Sequence, residues 1–327
     1  MSGCTLIANK WFNDKERALV TSILGLCIPI GSIVSFSMAG FIFAGADPLT
    51  YPQGTKNDLY HLLAYQNYWI TVITIPFVFI IRDKPAYPPS LVATKDPEER
   101  NFCAALSEVL KIRSYVLLLI IFCMVDGAFI SMSDIISQLF TDYHYSTGDT
   151  SMFGGVTVVF GVMASMCVGI MLQKTSRYLI TIRCVCIGTI SSFVLAAIVL
   201  PMGNFWGTCF TVALLGTCIV PVIPASMGLG AELTFPMAPA LTNGILLMTG
   251  QLGGAVFGIL AEFLCGKGPF YALGLFMSMV LVASIMSIFV VEDLRRTNFA
   301  KIKSTTEINH RNSLLSKFDN ITEETAA

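Results

Sequence analysis

Long apolar stretches that carry almost no charge recur along the whole chain and limit what it can fold into. A helix of about 20 apolar residues spans the hydrocarbon core of a bilayer, whereas a surface helix of a soluble protein keeps a polar face. Only 13% of the 327 residues are charged, against about 25% in a typical soluble domain. The sequence therefore predicts an all-α, polytopic membrane protein.

Eight segments are long and apolar enough to be transmembrane helices. They cover residues 18–44, 62–81, 114–140, 152–172, 184–203, 205–230, 237–261 and 270–291. Within these bounds the only ionisable acids or bases are Asp126 and Asp134, both in the third segment. We therefore expect eight spans, of which only the third contains charge.

The basic residues are distributed unequally between the two sides of such a topology. With the N-terminus in the cytoplasm, 18 of the 20 Lys and Arg residues lie in inner segments, and only Lys56 and Lys267 lie in outer loops. Inner loops of membrane proteins are enriched in Lys and Arg. This bias predicts that both termini are cytoplasmic, and the plasma membrane is the expected location.

A charged, Pro-rich stretch, residues 82–113, separates the first two spans from the other six. Its later part, residues 97–111, has an apolar stripe among charges, which predicts a helix lying at the membrane surface. Residues 292–327 are polar and poor in aromatic side chains, a composition typical of disorder. We expect them to form a disordered cytoplasmic tail.

Several separated motifs resemble those of one transporter family. They are KWFNDKER at residues 10–17, RDKPAYPPS at 82–90, GAF at 127–129, and ELTFP at 232–236 followed by Gln251. Together with the division into two and six spans, they resemble a major facilitator superfamily transporter, which has two six-helix lobes joined by a long cytoplasmic loop. Within that superfamily the resemblance is to the feline leukaemia virus subgroup C receptor-like (FLVCR-type) transporters.

The resemblance implies a partial major facilitator fold. Residues 1–81 would hold the last two helices of the N-terminal lobe, 82–113 the inter-lobe loop and 114–291 a complete six-helix C-terminal lobe. The first four helices of the family would be missing. The implied function is transport of choline, ethanolamine or haem by alternating access. The alternative is a truncated membrane scaffold, or a partner of a fuller protein, without transport of its own.

Five residues are candidates for binding substrate. Gln251 matches a family glutamine that contacts substrate; otherwise its amide would make an interhelical hydrogen bond. Asp126 lies mid-span, where a carboxylate is costly, so it would bind substrate or a neighbouring Ser or Thr. Asp134 would attract cations near the outer mouth or simply reach water. Phe129 and Phe257 would offer ring faces to an ammonium group, unless they only pack.

Small residues and prolines are expected to shape the helices. Gly250, Gly254 and Gly258 form one stripe on a helix, along which another helix can approach closely and slide or rock. Pro221 and Pro224 remove backbone donors within a span and should bend it.

Glu232 is predicted at the cytoplasmic end of its span. It would act as a cytoplasmic gate or form a lobe-to-lobe ion pair with Lys10, Lys15 or Arg17. A solvated turn charge is the alternative, since exposed ion pairs contribute little.

Other functional classes lack support in the sequence. A formal net charge of -1 provides no attraction for nucleic acid. The sequence has no metalloprotease, hydrolase, P-loop or dinucleotide-binding motif, so we expect no enzyme activity, no catalytic residues and no cofactor. Cys184 and Cys186 do not share a helix face, so no metal site is expected. The expected partners are the bilayer, a small-molecule substrate, and the missing N-terminal helices or a fuller protein.

Overall fold

The computed structural model describes residues 11–12, 30–38, 40–42, 52–80, 102–141, 143, 145–237 and 239–291, and the regular structure within them is helical. Apart from helical residues 30–38 and 40–42, the elements are α1 (Pro52–Ile80), α2 (Phe102–Leu110), α3 (Arg113–Thr141), α4 (Thr147–Thr175), α5 (Tyr178–Val199), a 3₁₀ turn (Leu200–Met202), α6 (Phe205–Ile219), α7 (Val222–Leu233), α8 (Pro239–Cys265) and α9 (Pro269–Ile288).

Seven of the eight predicted spans are confirmed as apolar helical segments of membrane-spanning length. They are Lys56–Phe79, Arg113–Phe140, Thr147–Leu172, Tyr178–Met202, Phe205–Leu233, Pro239–Cys265 and Pro269–Ile288. The remaining span, 18–44, lies mostly outside the described residues, although residues 30–38 and 40–42 are helical. The predicted helix at 97–111 is present as α2. The tail lies outside the described residues.

The observed spans are longer than predicted and contain more charge. Besides Asp126 and Asp134, the charged residues within them are Lys56, Asp58, Arg113, Asp149, Arg183, Glu232 and Glu262. The expectation that only the third span contains charge was therefore wrong. A helix continues past the apolar region wherever its backbone bonds can still form, and charged side chains near its ends can reach the interface. Glu262 lies just beyond residue 261, where the predicted span ended.

One span is interrupted at the predicted proline. Helix α6 ends at Ile219 and α7 begins at Val222, so Pro221 lies at the break. Proline lacks a backbone N–H and its ring clashes with the preceding turn. Pro224 lies in the first turn of α7 without interrupting it. A helix break therefore occurs at Pro221, and it separates two parts of a single span.

Helix α3 is the centre of residues 113–291. It contacts α8 and α9 extensively and also packs on α4 and α7. In its most apolar window 56% of residues are buried, compared with 6% for α1. Its buried Phe122 and the fully buried Phe153, Phe193 and Phe276 belong to one continuous core. This core orients the helices of the lobe around α3.

Helices α4 and α6 approach each other at small residues. A side chain on Gly216 would overlap the backbone carbonyl oxygen of Thr157, and one on Gly161 would overlap the Val220 side chain. Gly161 and Gly216 therefore permit an inter-axial distance that a larger residue would prevent. Two other glycines of α4, Gly155 and Gly169, do not take part in this contact, because a Cβ there would have no neighbour within 4 Å.

Aromatic side chains join the ends of α3, α4 and α6. The rings of Phe140 and Phe153 are 5.1 Å apart, and those of Phe153 and Phe205 are 5.4 Å apart. The Tyr145 hydroxyl lies 2.8 Å from the Thr208 hydroxyl. Edge and tilted ring pairs of this kind stabilise beyond the area that they bury. These contacts hold the ends of α3, α4 and α6 together.

Candidate functional site

The candidate site is built on the contact between α3 and α8, which we call the α3–α8 seam. A Cβ atom added to three glycines of α8 would meet side chains of α3. The pairs are Gly250 with Asp126, Gly254 with Ile130, and Gly258 with Asp134. Each step advances one helical turn on both helices, so the helices run parallel and in register. The predicted glycine stripe is thus the surface on which α3 packs.

Backbones come closest in the middle of the seam. A Cβ on Gly127 would lie 3.1 Å from the carbonyl carbon of Gly253 and 3.2 Å from the amide nitrogen of Gly254. The Ser131 hydroxyl donates a three-centre hydrogen bond, shared between the Gly127 carbonyl oxygen of its own helix at 2.6 Å and the Gly254 carbonyl oxygen of α8 at 3.0 Å. At Gly250 and Gly254, α3 therefore lies close to the backbone of α8. At Gly258 the fit is looser, with Asp134 Oδ2 3.7 Å away.

Removing the Ser131 hydroxyl should weaken the seam. Hydrogen bonds between membrane helices contribute about 0.6 kcal/mol on average and up to about 1.7 kcal/mol. We therefore expect Ser131→Ala to lower stability by about 1 kcal/mol, measured by denaturant titration in detergent. Ser133→Ala is the matched control, because the Ser133 hydroxyl donates within its own helix, to the Phe129 carbonyl. Equal losses for both variants would contradict the interhelical role.

Asp126 is buried within the seam. Its side chain is 5% exposed, and its carboxylate contacts the Gly250 position beside the Phe122 ring. Among the described residues, none donates a hydrogen bond to this carboxylate. A buried carboxylate without a donor is costly in a membrane unless it is protonated or meets a cation. The Ser or Thr partner considered as the alternative is not found within the described part of the chain.

Gln251 lies on a different side of α8, which we call the α8 polar face: Gln251, Ala255, Gly258 and Glu262. Gln251, Ala255 and Glu262 are exposed. At 100° per residue, Gly258 and Glu262 each lie within about 20° of Gln251 around the helix. The exposed Asp134 borders this face, because its carboxylate lies beside Gly258. Amide and carboxylate groups thus line one exposed strip of the lobe.

The five predicted substrate residues do not converge on one pocket within the described part of the chain. Gln251 and Asp134 belong to or border the polar face, whereas Asp126 is inside the seam. Phe129 and Phe257 are half-buried and pack against the hydrophobic core. The cavity between α4 and helical residues 33–38 and 40–41 has none of the five in its lining.

Glu232 is buried, with 6% of its surface exposed, at the end of α7. A solvated turn charge, the alternative interpretation, does not fit this burial. The predicted ion-pair partners Lys10, Lys15 and Arg17 lie outside the described residues, so a gating role stays a prediction. Nearby, sequence reasoning missed Asn243, whose buried amide oxygen has no hydrogen-bond partner among the described residues.

Sequence reasoning also missed Glu262. The predicted apolar segment ends at residue 261, one residue before Glu262, although α8 continues to Cys265. Counting eleven residues from Gln251, or about three helical turns, would have placed both residues on one face. Helical periodicity therefore indicates the position of Glu262, and it does not depend on where the hydrophobic run ends.

Comparison with known proteins agrees with this architecture. Residues 1–258 match the sequence profile of the Major Facilitator Superfamily. The chain is 24% identical to the zebrafish choline/ethanolamine transporter flvcr2a, covering 89% of this chain and 62% of that protein. It is 26% identical to the choline/ethanolamine transporter FLVCR1 of the cat, covering 89% and 53%. It thus spans between half and two thirds of the length of these curated relatives.

A solved structure shows the same fold. It is the inward-facing, unoccupied form of a bacterial homologue of the human lysosomal transporter Spinster, with a TM-score of 0.50 and 12% identity. The alignment covers 88% of this chain and 71% of that one. The family assignment rests on the profile match over residues 1–258. The apolar helices of spanning length, packed around α3, are consistent with it. The chain belongs to the Major Facilitator Superfamily.

Proposed function

We propose that the chain takes part in transmembrane transport of a small organic cation, of the choline or ethanolamine type, by alternating access between two lobes. The named relatives are choline/ethanolamine transporters, and the chain has the packed helices of one lobe. Haem is a second candidate solute, from the resemblance in the sequence. The observation that carries the proposal is the α8 polar face, which exposes the Gln251 amide and the Glu262 carboxylate within a transmembrane helix.

The chemistry of this face suits a hydroxylated or primary ammonium solute. The Gln251 amide offers both a donor and an acceptor to a hydroxyl group. Asp134 adds a negative charge at the border of the face. Polar residues in a span normally line a solute route rather than lipid, so the opposing wall would be another helix of the transporter. Residues 1–81, further N-terminal helices or a fuller protein would supply that wall.

Rigid helix pairs would support the motion. The α3–α8 seam and the α4–α6 contact both rely on backbones in close approach, and densely packed units of this kind move as bodies. The residues of the polar face would keep their spacing as the lobe rocks. A transporter of this kind needs no catalytic side chain.

The orientation is part of the proposal. With 18 of 20 basic residues on one side, both termini would be cytoplasmic, and the plasma membrane would be the location. The free end of the α8 polar face, at Glu262, would then face the outside.

Competition in uptake assays tests the substrate class. Liposomes that contain the purified chain should take up radiolabelled choline, and excess ethanolamine should reduce this uptake severalfold, while an organic sulfonate should not. Haem is included as a third competitor. Protein-free liposomes give the background. Uptake at background, with the chain inserted in the expected topology, would contradict the proposal and favour a non-transporting scaffold.

A further inference from the structure

Asp126 lies in the interior of the α3–α8 seam, where the packing leaves little space around its carboxylate. A Cβ on Gly250 would overlap one carboxylate oxygen and lie 2.8 Å from the Phe122 ring, so the carboxylate rests against the α8 backbone. Neither the cavity at α4 nor the small one among α3, α5, α6 and α9 has Asp126 in its lining. Within the described residues, an ammonium group or a metal ion therefore has no open space beside this carboxylate.

The nearest titratable group in the described part of the seam is the Cys123 thiol. It lies one turn before Asp126 on α3, interacts electrostatically with it, and has its sulfur where a Cβ on Gly253 would extend. A neutral thiol is only a weak hydrogen-bond donor, so it does not offset the charge of a carboxylate. On the same helix, Asp134 lies two turns further on, about 12 Å away along the axis.

Charged side chains on the neighbouring helices lie at other depths. On α7, a Cβ on Gly230 would lie 3.6 Å from the Tyr115 ring. Glu232 follows within one turn, at a depth about 16 Å from Asp126 along α3. Glu262 lies about 18 Å along α8 from the point where Asp126 contacts that helix. The other titratable groups on helices that contact α3 lie near its ends, at the far end of α8, against α5 or on the exposed side of α4: Glu108, Asp149, Cys209, Tyr271, Cys265, Cys218, Cys167 and Lys174.

A proton is the ligand that suits this environment. Asp126 is 5% exposed and has neither a hydrogen-bond donor nor a basic partner in the described part of the chain. An ionised carboxylate in such a position is strongly disfavoured inside a membrane, whereas the neutral acid needs no counter-ion. A proton removes the charge and requires no additional space, unlike an ammonium group or a metal ion.

The Asp126 carboxyl is also close to the α8 polar face. It contacts Gly250, and the next residue along the chain is Gln251, which is exposed on that face. A cation held at Gln251 would therefore lie within about 10 Å of the carboxyl, a distance at which charges in apolar surroundings interact appreciably. A positive charge there favours the ionised carboxylate, and a proton on the carboxyl weakens the attraction for the cation by the same factor.

We propose that Asp126 is a proton-binding site whose occupancy is coupled to the solute, so that a cation arriving beside Gln251 displaces the proton from Asp126. The inference rests on the proposed transport function. The O–H bond of the carboxylic acid breaks, its proton passes to water in the solute route, and a carboxylate remains. One positive charge enters as one leaves, so the exchange keeps the net charge of the seam constant. Asp126 acts through its charge and does not contact the solute.

Infrared spectroscopy tests the bound proton without requiring transport. A protonated carboxyl gives a C=O stretching band that is separate from the bands of carboxylates and shifts in D₂O. We expect this band in the purified chain at about pH 7, where an ordinary aspartate is ionised. Asp126→Asn should remove it. Asp134→Asn, which changes an exposed carboxyl of the same helix, should retain it. A wild-type chain without the band, or a band that survives Asp126→Asn, would overturn the inference.

A second measurement needs no variant. Asparagine is close in size to the neutral acid, so Asp126→Asn should fold, and gel filtration checks this. Should it not fold, the wild-type chain is labelled with ¹³C at its aspartate carboxyls. The band of the protonated acid should then move to lower frequency. A band that does not move would arise from a group other than an aspartate and would equally overturn the inference.

Choline binding at different pH values tests the coupling. Choline carries a fixed charge, so a change of its affinity with pH reports on the protein. We expect the apparent Kd of the wild type for radiolabelled choline to rise by about fivefold or more from about pH 8 to about pH 6, because the proton opposes the cation. For Asp126→Asn the change should stay below about twofold. A constant Kd in the wild type, or an equal rise in the variant, would contradict the coupling.

The two measurements separate this inference from the proposed function. If the wild-type chain binds and transports no choline, the proposed function fails. The infrared band still decides whether Asp126 holds a proton. If choline binds, its addition should also weaken the band as the proton leaves, and a band that is unchanged by saturating choline would overturn the exchange.

Discussion

Gly216→Ala is expected to destabilise the lobe by about 3 kcal/mol or more, although it adds only one methyl group. That methyl group would overlap the carbonyl oxygen of Thr157, a backbone atom of α4 that cannot rotate away. The helices would have to separate, and overpacking that moves the backbone costs about 1–3 kcal/mol, occasionally more. The apparent melting temperature in detergent, measured by fluorescence-detected gel filtration after heating, should fall by about 6 °C or more.

Gly155→Ala is the control for this prediction. Gly155 lies in α4, and a Cβ there would have no neighbour within 4 Å. Alanine has the higher helix propensity, so this substitution should leave stability unchanged or raise it slightly. A melting temperature for Gly216→Ala equal to that of Gly155→Ala would show that α4 and α6 are not in backbone contact.

The helices of the fold could be predicted from hydrophobicity alone. A long uncharged run such as residues 152–172 has only one stable conformation in lipid, because all backbone groups must be bonded within the segment. The proline at position 221 also predicted a disturbance of its helix, and the helix break occurs there. The stripe of Gly250 and Gly254 predicted a close contact, and α3 supplies it.

The partners of each helix could not be predicted in the same way. Gly216 and Thr157 come together only because α4 and α6 are packed against each other, and no local pattern in either helix identifies the other. The burial of Asp126 and Asp134 in α3 could not be predicted from the sequence for the same reason. Their spacing places them about 80° apart on the helix, but only the position of α8 decides that Asp126 is buried while Asp134 is exposed.

Helix ends were the other source of error. Charged residues at the ends of spans were assigned to loops, because hydropathy falls where the helix enters the interface. For Glu232 a solvated charge is the alternative to a gate or an ion pair in the sequence, although the side chain is buried. Hydropathy alone also places Glu262 outside the span. The burial of Glu232 follows only from the three-dimensional packing, whereas helical periodicity from Gln251 is enough to place Glu262 on the α8 polar face.

Gln251→Ala should reduce choline uptake at low substrate concentration by about tenfold or more. Losing hydrogen bonds to a solute at a site without competing water costs about 1–3 kcal/mol, and each 1.4 kcal/mol corresponds to a factor of ten. Leu252→Ala is the matched control: it is the next residue, also exposed, and lies about 100° away around α8. It should change uptake by less than about twofold.

Folding must be separated from transport in this comparison. Gln251 is exposed, so its truncation should leave the amount and the melting temperature of the purified protein close to those of the wild type. A loss of stability similar to that of Gly216→Ala would instead indicate that Gln251 holds helices together through its amide.

Whether the α8 polar face forms part of a route for a small organic cation is decided by radiolabelled choline uptake. Liposomes contain equal amounts of the wild-type chain, Gln251→Ala or Leu252→Ala. We expect saturable uptake for the wild type and Leu252→Ala, and a strong reduction for Gln251→Ala. Equal uptake by all three proteins would show that the face does not line the route.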